Sequence, residues 1–287
     1  MIKQNLLKAL SLTAFALFSQ CILNASRIEV TYIANEGFLL RSGDSKVLID
    51  ALFDEGSYDL FLVPSEETRT KMIDGIPPFD DIDLILFTHR HWDHFDPSVA
   101  AQFLKKHPET MLVGPPQAVD EMKDLEDFQQ FSDQVKAVDL ELDEETKLSI
   151  NGVAMTIARL EHGPFMKDGV NVHKDVENLV YHLDLNGTGI MHVGDAGIYS
   201  SQKYFKEKDF EKNRVDILFS SRFDRGPFSK SIITERMKPE VIIPMHIPPG
   251  KWENVTAKFK KVYPSAIAFR TPLESKSFEF SGLAENN

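Results

Sequence analysis

"ILFTHRHWDHFDP", residues 85–97, is the stretch on which the fold is read. Within six residues it places His89, His91, Asp93 and His94, in a chain with nine histidines among 287 residues. The cluster follows Leu84-Ile85-Leu86-Phe87, an apolar run that reads as a buried strand. Polar groups at the end of a buried strand need partners, and several imidazoles in one place point to a metal ion as that partner. His89 and His91 are two apart, so in extended chain both point to one side and reach one ion. Asp93 and His94 lie where the chain leaves the strand, and the bend turns them toward a second ion beside the first. Asp96-Pro97 then reads as the cap and first turn of a helix over "SVAAQFLKKH", stopped by Pro108.

Four ligands do not complete two sites, so more are required downstream, each at a strand end. His162 ends "MTIARLEH" before Gly163-Pro164. Asp195 ends "GIMHVGD" before Ala196-Gly197. His246 ends "VIIPMH" before Pro248-Pro249-Gly250. Each is a polar residue just past an apolar strand and before turn residues, which predicts convergence at one edge of a layered fold.

The rest of the chain bounds the class. At 287 residues, 42% apolar and with 21 Phe, it is long enough for a sizeable core. Lys3 and Lys8 followed by the uncharged run Ala9–Ser19 give the profile of a signal peptide, too short to span a membrane. Export to the periplasm or medium is therefore expected, with the boundary between residues 21 and 25 and the mature domain over 26–287. "FSQC" resembles a lipoprotein box, so a lipid anchor on Cys21 is the alternative to soluble export. Cys21 is the only cysteine, so no internal disulfide forms. A formal charge of −12 and the lack of basic tracks argue against nucleic acid as a partner and leave a small-molecule substrate.

Alternation predicts strands at "RIEVTYIA", "GFLLRSGD" and "KVLIDALF", an irregular stretch over 55–80, and a helix over Gln117–Phe131. Further strands are read at "VKAVDL", "TKLSI", "VAMTIARLEH", "NLVYHLDL", "TGIMHVGD", "VDILFS", "VIIPMHI" and "SFEF", with a hairpin at Asn186-Gly187. Helices are expected at "SQKYFKEKDFEKN", around Ser231–Met237 and at "NVTAKFKKVY". Two groups of strands, each with helices, predict an α/β (α+β) fold of two sheets packed face to face with helices outside, in one domain.

From "GFLLRSGDSKVLIDALF" through "THRHWDH", "LEH", "HVGDAG" and "PMH", the chain resembles the metallo-β-lactamase-fold hydrolases. Within them it resembles the branch of the ascorbate-6-phosphate lactonases and N-acyl-phosphatidylethanolamine phospholipases D, on "LIDALF" and "IIPMH". The resemblance implies a four-layer αββα sandwich. It assigns His89, His91 and His162 to one metal, Asp93, His94 and His246 to a second, and Asp195 to a bridge. The true β-lactamases of this fold lack a bridging aspartate, and the nucleases carry extra motifs or an inserted domain; this chain departs from both. Two divalent ions are implied, zinc by the imidazole-and-carboxylate set, with iron or manganese as alternatives.

Two cations roughly 3.5–4 Å apart share one water and lower its pKa from about 15.7 toward neutrality. Asp93 is the candidate to orient that water and carry its proton. A small ester, lactone or amide is the leading substrate class, a phosphodiester the alternative, and a non-catalytic metal-binding lipoprotein a third reading. Asp50, ending "VLID", is a candidate to orient a ligating histidine or else a turn cap. His173, in the loop after His162, is a candidate for substrate contact. Arg222 and Arg225 are candidates for an anionic group, with ion pairing to the many carboxylates as the plainer role. His192, His182 and His107 read as core or helix-end histidines, Trp92 as packing beneath the site, and Phe165 and Phe228 as pocket wall or core. The sequence predicts that the purified protein carries about two metal ions per chain by elemental analysis, and that His91→Ala loses most of them; a fully loaded variant would sink the assignment.

Overall fold

The structure, a computed structural model, describes residues 25–54 and 60–281; the signal-like segment and Cys21 lie outside them. Two large mixed sheets face each other. The first contains β1 (Ala25–Ala34), β2 (Gly37–Ser42), β3 (Ser45–Ile49), β4 (Leu84–Leu86), β5 (Met111–Gly114), β6 (Val135–Ala137) and β15 (Ser275–Ser281). The second contains β7 (Glu145–Ile150), β8 (Val153–Glu161), β11 (Glu177–Leu185), β12 (Thr188–His192), β13 (Ile217–Ser221) and β14 (Val241–Met245). Their orders are β15-β1-β2-β3-β4-β5-β6 and β14-β13-β12-β11-β8-β7. A small hairpin, β9 (Met166–Lys167) with β10 (Val170–Asn171), stands apart.

Period-two alternation decides which side chains meet. Ile28, Val30, Tyr32, Phe38, Leu40, Val47, Ile49, Leu84 and Leu86 face inward and join Ile157, Leu179, Tyr181, Ile190 and Phe219 of the second sheet in one core. The intervening residues Ile33, Leu39, Leu48 and Ile85 face outward onto a second apolar layer. That layer is completed by Met72 of α1 (Glu66–Ile73), by Val99, Phe103 and Leu104 of α2 (Pro97–Lys106), and by Ala118 and Met122 of α3 (Pro116–Lys123). The outer face of the second sheet packs on Phe205 of α4 (Gln202–Glu207), on the π-helical turn Ile232–Met237 after α5 (Pro227–Ser231), and on Phe259 of α6 (Trp252–Val262). The result is the expected four-layer αββα sandwich. Among the described residues no helix is long and apolar enough to cross a membrane.

Local chemistry accounts for where elements begin and end. Asp96 caps α2 by accepting from the Ser98 and Val99 N–H groups, with Pro97 in the first turn. Asn186 and Gly187 both adopt positive φ, joining β11 to β12 in the expected hairpin. Three expectations are corrected. The stretch 55–80 contains α1, capped by the Ser65 side chain on the Thr68 N–H. The helix expected over Gln117–Phe131 stops at Lys123, and tight turns follow so that Leu125, Phe128 and Phe131 reach the outer apolar layer. The helix expected over "SQKYFKEKDFEKN" shortens to α4, because Asp209 accepts from the Glu211 and Lys212 N–H groups and diverts the backbone into a turn.

Strand direction gathers the site. β3, β4 and β5 are parallel neighbours, as are β12, β13 and β14, while β8 and β12 both run antiparallel to β11 and hence parallel to each other. The C-terminal ends of β3, β4, β8, β12 and β14 therefore lie at one edge of the sandwich, and each is followed at once by a polar residue of interest. The two sheets are tied there by the Leu179 N–H on the Thr88 carbonyl (2.8 Å) and the Tyr181 hydroxyl on the Phe87 carbonyl (2.8 Å). The β1–β2 corner is pressed against this edge. A Cβ on Gly37 would stand 2.5 Å from the Asp50 carbonyl oxygen and 3.0 Å from Ala51 Cα, so only glycine fits. Gly37→Ala is expected to cost about 1–3 kcal/mol, seen as a lowered urea midpoint at unchanged slope.

Candidate metal centre

His89 and His91 follow β4, His162 follows β8, Asp195 lies three residues past β12, and His246 follows β14. His162 and Asp195 are fastened side by side, since the Gly163 N–H donates to the Asp195 carbonyl (2.8 Å) and His162 bridges to Ala196. The Asp195 N–H donates to Asn178 Oδ1 (3.1 Å), and Gly194, at φ +55, leaves no room for a Cβ beside Thr88. Asp50 and His246 both hold positive φ, a strained conformation for a side-chain-bearing residue.

The structure brings all seven expected side chains together in two groups. His89, His91, His162 and Asp195 present donor atoms to one point, and Asp93, His94 and His246 to another. Asp195 faces both. Its Oδ2 lies 3.2 Å from His162 Nε2 and 3.9 Å from His89 Nε2; its Oδ1 lies 3.8 Å from His246 Nε2 and 3.9 Å from His94 Nε2. Asp93 Oδ2 closes the second group at 3.4 Å from His246 Nε2 and 3.6 Å from His94 Nε2. Donors held at about 2.0–2.2 Å around a tetrahedral ion are separated by about 3.3–3.6 Å, close to these values.

Outer hydrogen bonds set the rings. Thr88 donates its hydroxyl to Asp50 Oδ2 (2.6 Å) and lies 3.0 Å from His89 Nδ1, which therefore donates to it. His89 Nε2 is then a lone pair, 3.0 Å from His91 Nδ1. His94 Nδ1 donates to Asp50 Oδ2 (3.0 Å) and His162 Nδ1 to the Gly163 carbonyl (2.8 Å). Asp50 thus holds the His94 ring and the Thr88 hydroxyl through Oδ2, and its Oδ1 also accepts from the Thr88 N–H (2.8 Å).

A metal fits this donor set on two counts. Among the described residues, ten buried side-chain polar atoms have no hydrogen-bond partner, and six belong to residues at this site: Asn35, Glu36, His94, His162 and His173, Glu36 through both oxygens. Buried polar atoms are almost always paired, so a concentration of unpaired ones around one cluster of histidines and carboxylates fits a metal. The electrostatics agree. Burial, reinforced by His94, holds His89 well below the usual imidazole range, and burial with His162 holds His91 at about 4, so both are neutral. Burial works against charge on His94, but Asp93, Asp50 and Asp195 outweigh it and hold His94 well above the usual range. The same carboxylates favour any cation in that place.

The remaining expectations divide. His173 reaches the first group, its ring 4.5 Å from His162 and 4.7 Å from His91, with Phe165 over it at 5.5 Å. Arg222 reaches the edge but spends its Nη1 on the His246 carbonyl, and Arg225 donates to the Arg222 carbonyl (2.9 Å). His192 is buried, and its Nε2 donates to the Glu36 carbonyl (3.0 Å); His182 and His107 likewise bond backbone carbonyls away from the site. Trp92 is not beneath the site but 42% exposed, packed on Phe61, whose ring lies 4.5 Å from His246. Sequence reading missed Asn35 and Glu36 at the β1–β2 corner. Asn35 Nδ2 holds Asp93 through its carbonyl (3.1 Å) and Oδ2 (3.0 Å), and Glu36 is fully buried against the second group. Their only signal was a polar pair between two apolar strands.

Two facing mixed sheets with helices outside and a histidine–aspartate cage at one edge define the metallo-β-lactamase fold. The family model described as beta-lactamase superfamily domain matches residues 45–220, and the chain belongs to that family. It is similar to a metal-dependent hydrolase of Polynucleobacter asymbioticus, 24% identical over 77% of this chain and 74% of that one. Its structure resembles a metallo-beta-lactamase fold protein of Bacillus subtilis at TM-score 0.57 and 17% identity, covering 89% of this chain and all of the other. It also resembles CmlA, a diiron β-hydroxylase of Streptomyces venezuelae, at TM-score 0.53 and 14% identity, covering 89% of this chain and 54% of that one.

The loops around the cage share one buried anchor. Asp224 accepts from the Ile198 N–H (3.0 Å), Ser229 (3.0 Å) and Ser220 (3.2 Å), joining the segment after Asp195 to the one after β13. Burial pushes its carboxyl up to about 6. A carboxyl raised in the folded state is fully accommodated while protonated, so its contribution to stability falls as pH rises from about 4 through about 6. Asn in its place keeps Oδ1 for Ile198 and Ser229, and the Ser220 hydroxyl turns to accept. Asp224→Asn is expected to flatten the stability profile between pH 4 and 7 and to raise stability at pH 8 by up to about 3 kcal/mol, measured by urea unfolding at each pH.

Proposed function

We propose that this protein is a metal-dependent hydrolase with two adjacent ions, acting on a small ester, lactone or amide. One observation carries the reading: Asp195 turns one carboxylate oxygen toward His89 and His162 and the other toward His94 and His246. The description of the Polynucleobacter relative as a metal-dependent hydrolase supports it. His89, His91 and His162 would hold the first ion, Asp93, His94 and His246 the second, with Asp195 shared. Zinc suits the imidazole-rich first position; iron or manganese suits the same set, and CmlA carries a diiron centre on this fold. Such a pair supplies Lewis acidity and lowers the pKa of water.

The chain's own groups complete the chemistry. Asn35 Nδ2 donates to Asp93 Oδ2, which leaves the other oxygen, Oδ1, to orient a water. The water oxygen forms a bond to the carbonyl carbon while its proton passes to Asp93 Oδ1. The bond from that carbon to the leaving oxygen or nitrogen then breaks, and Asp93 returns the proton to the leaving group. His173, flanking His91 and His162, is placed to donate a hydrogen bond to the substrate. Phe165, Phe223 and Trp92, at 57%, 67% and 42% exposure, give the loops around the cage an apolar rim. Arg222 spends its Nη1 on the His246 carbonyl and Arg225 its Nε on the Arg222 carbonyl, so both are held at the edge by backbone bonds, and a phosphodiester is the alternative substrate class. The signal-like profile of residues 3–19 supports export to the periplasm or medium.

The test is a parallel assay of metal-loaded protein on p-nitrophenyl esters, a lactone panel and bis-p-nitrophenyl phosphate. Ester or lactone turnover is expected, with Asp93→Asn lowering kcat at least 100-fold while the metal content stays above half. Turnover of the phosphodiester alone transfers the reading to phosphoryl transfer, and no turnover by loaded protein refutes catalysis on these classes.

A further inference from the structure

Glu36 stands at the β1–β2 corner beside the second group of ligands. It is fully buried, and neither carboxylate oxygen has a hydrogen-bond partner. Its backbone is pinned: the His192 Nε2 donates to its carbonyl, and Gly37 after it is wedged against Asp50. From that corner its side chain reaches the cage. One oxygen lies in a group with Asp195 and His246 whose donor atoms are all within 4.8 Å of one another, and Glu36, Asp50 and His94 form another such group.

Its carboxylate neighbours Asp195 and Asp50 offer only acceptors when ionised. A carboxylate kept from water with no donor costs several kcal/mol, and single-sign crowding adds to that. A cation shared with Asp195 and His246 removes both penalties. Resting on the two-ion reading above, we propose that Glu36 is a further oxygen ligand of the second metal position. That position then has two nitrogens, from His94 and His246, and three oxygens, from Asp93, Asp195 and Glu36. The first position has three nitrogens and one oxygen. Five donors rich in carboxylate exceed the tetrahedral set zinc favours and suit a harder ion of higher coordination number, manganese(II) or iron(II). The two positions therefore differ in preference: a histidine-rich one for zinc and an oxygen-rich one for the harder ion.

The test uses the full chain, stripped with chelator and titrated with manganese(II) or zinc(II) alone, read by calorimetry, elemental analysis and manganese electron paramagnetic resonance. Wild type is expected to take two ions. Glu36→Gln keeps the size and removes the charge, and is expected to keep one zinc with unchanged affinity while its second ion binds at least tenfold more weakly, the loss being larger for manganese than for zinc. Glu36→Gln with wild-type affinity for a second manganese overturns the proposal and leaves the two-ion reading standing. Wild type that takes no ion overturns both. A crystal of wild type soaked in manganese(II) decides the matter even if the variant does not fold: a Glu36 oxygen at about 2.1–2.3 Å from the second ion supports the assignment, and one beyond 3 Å refutes it.

Discussion

The architecture turns on how four carboxylates and five imidazoles are kept together at the edge of an apolar sandwich. Glu36, Asp50, Asp93 and Asp195 lie within one cage, and three of the four are almost wholly shut off from water. Hydrogen bonds answer only part of that charge. Thr88 satisfies Asp50, and Asn35 satisfies Asp93, but His94 Nε2, His162 Nε2 and both Glu36 oxygens have no hydrogen-bond partner. In a low-dielectric setting such a cluster is suited to a cation. Asp195 turns one oxygen to each histidine group.

The fold serves this cage by supplying rigidity from both sheets. Strand ends are fixed by their ladders, so residues one to three positions past β4, β8, β12 and β14 have little freedom left. The Leu179–Thr88 and Tyr181–Phe87 hydrogen bonds lock one sheet to the other where the cage is built. Positive φ at Asn35, Asp50 and His246 shows backbone strain at the site, held in place by the surrounding packing. The exposed loops that carry Phe165, His173 and Phe223 lie outside the ladders of the two large sheets.

What the sequence determined by itself was the fold and most of the cage. Apolar strands ending in His, Asp or His before turn residues are a local pattern, since strand, polar residue and turn are adjacent in the chain; this made His89, His91, Asp93, His94, His162, Asp195 and His246 legible. Alternation marked the strands β1 to β3, while the apolar layer on the outer side of that sheet was seen only in the structure. Helix ends were less legible, because Asp209 and the Leu125–Phe131 turns respond to local side-chain bonds and to the outer core rather than to helical period.

Only the tertiary structure decided what faces the cage from elsewhere. Asn35 and Glu36 form a hairpin corner more than fifty residues before His89, with no spacing or motif to mark them. They matter because β1 and β2 sit two and one strands from β3, whose end carries Asp50. His173 became a neighbour of His91 through the return of a loop, and Trp92, between two cage residues in sequence, was turned outward. A sequence records adjacency along the chain, so it reveals ligands at strand ends. Burial without a hydrogen-bond donor, which singles out Glu36, is a property of three-dimensional packing and has no local signature.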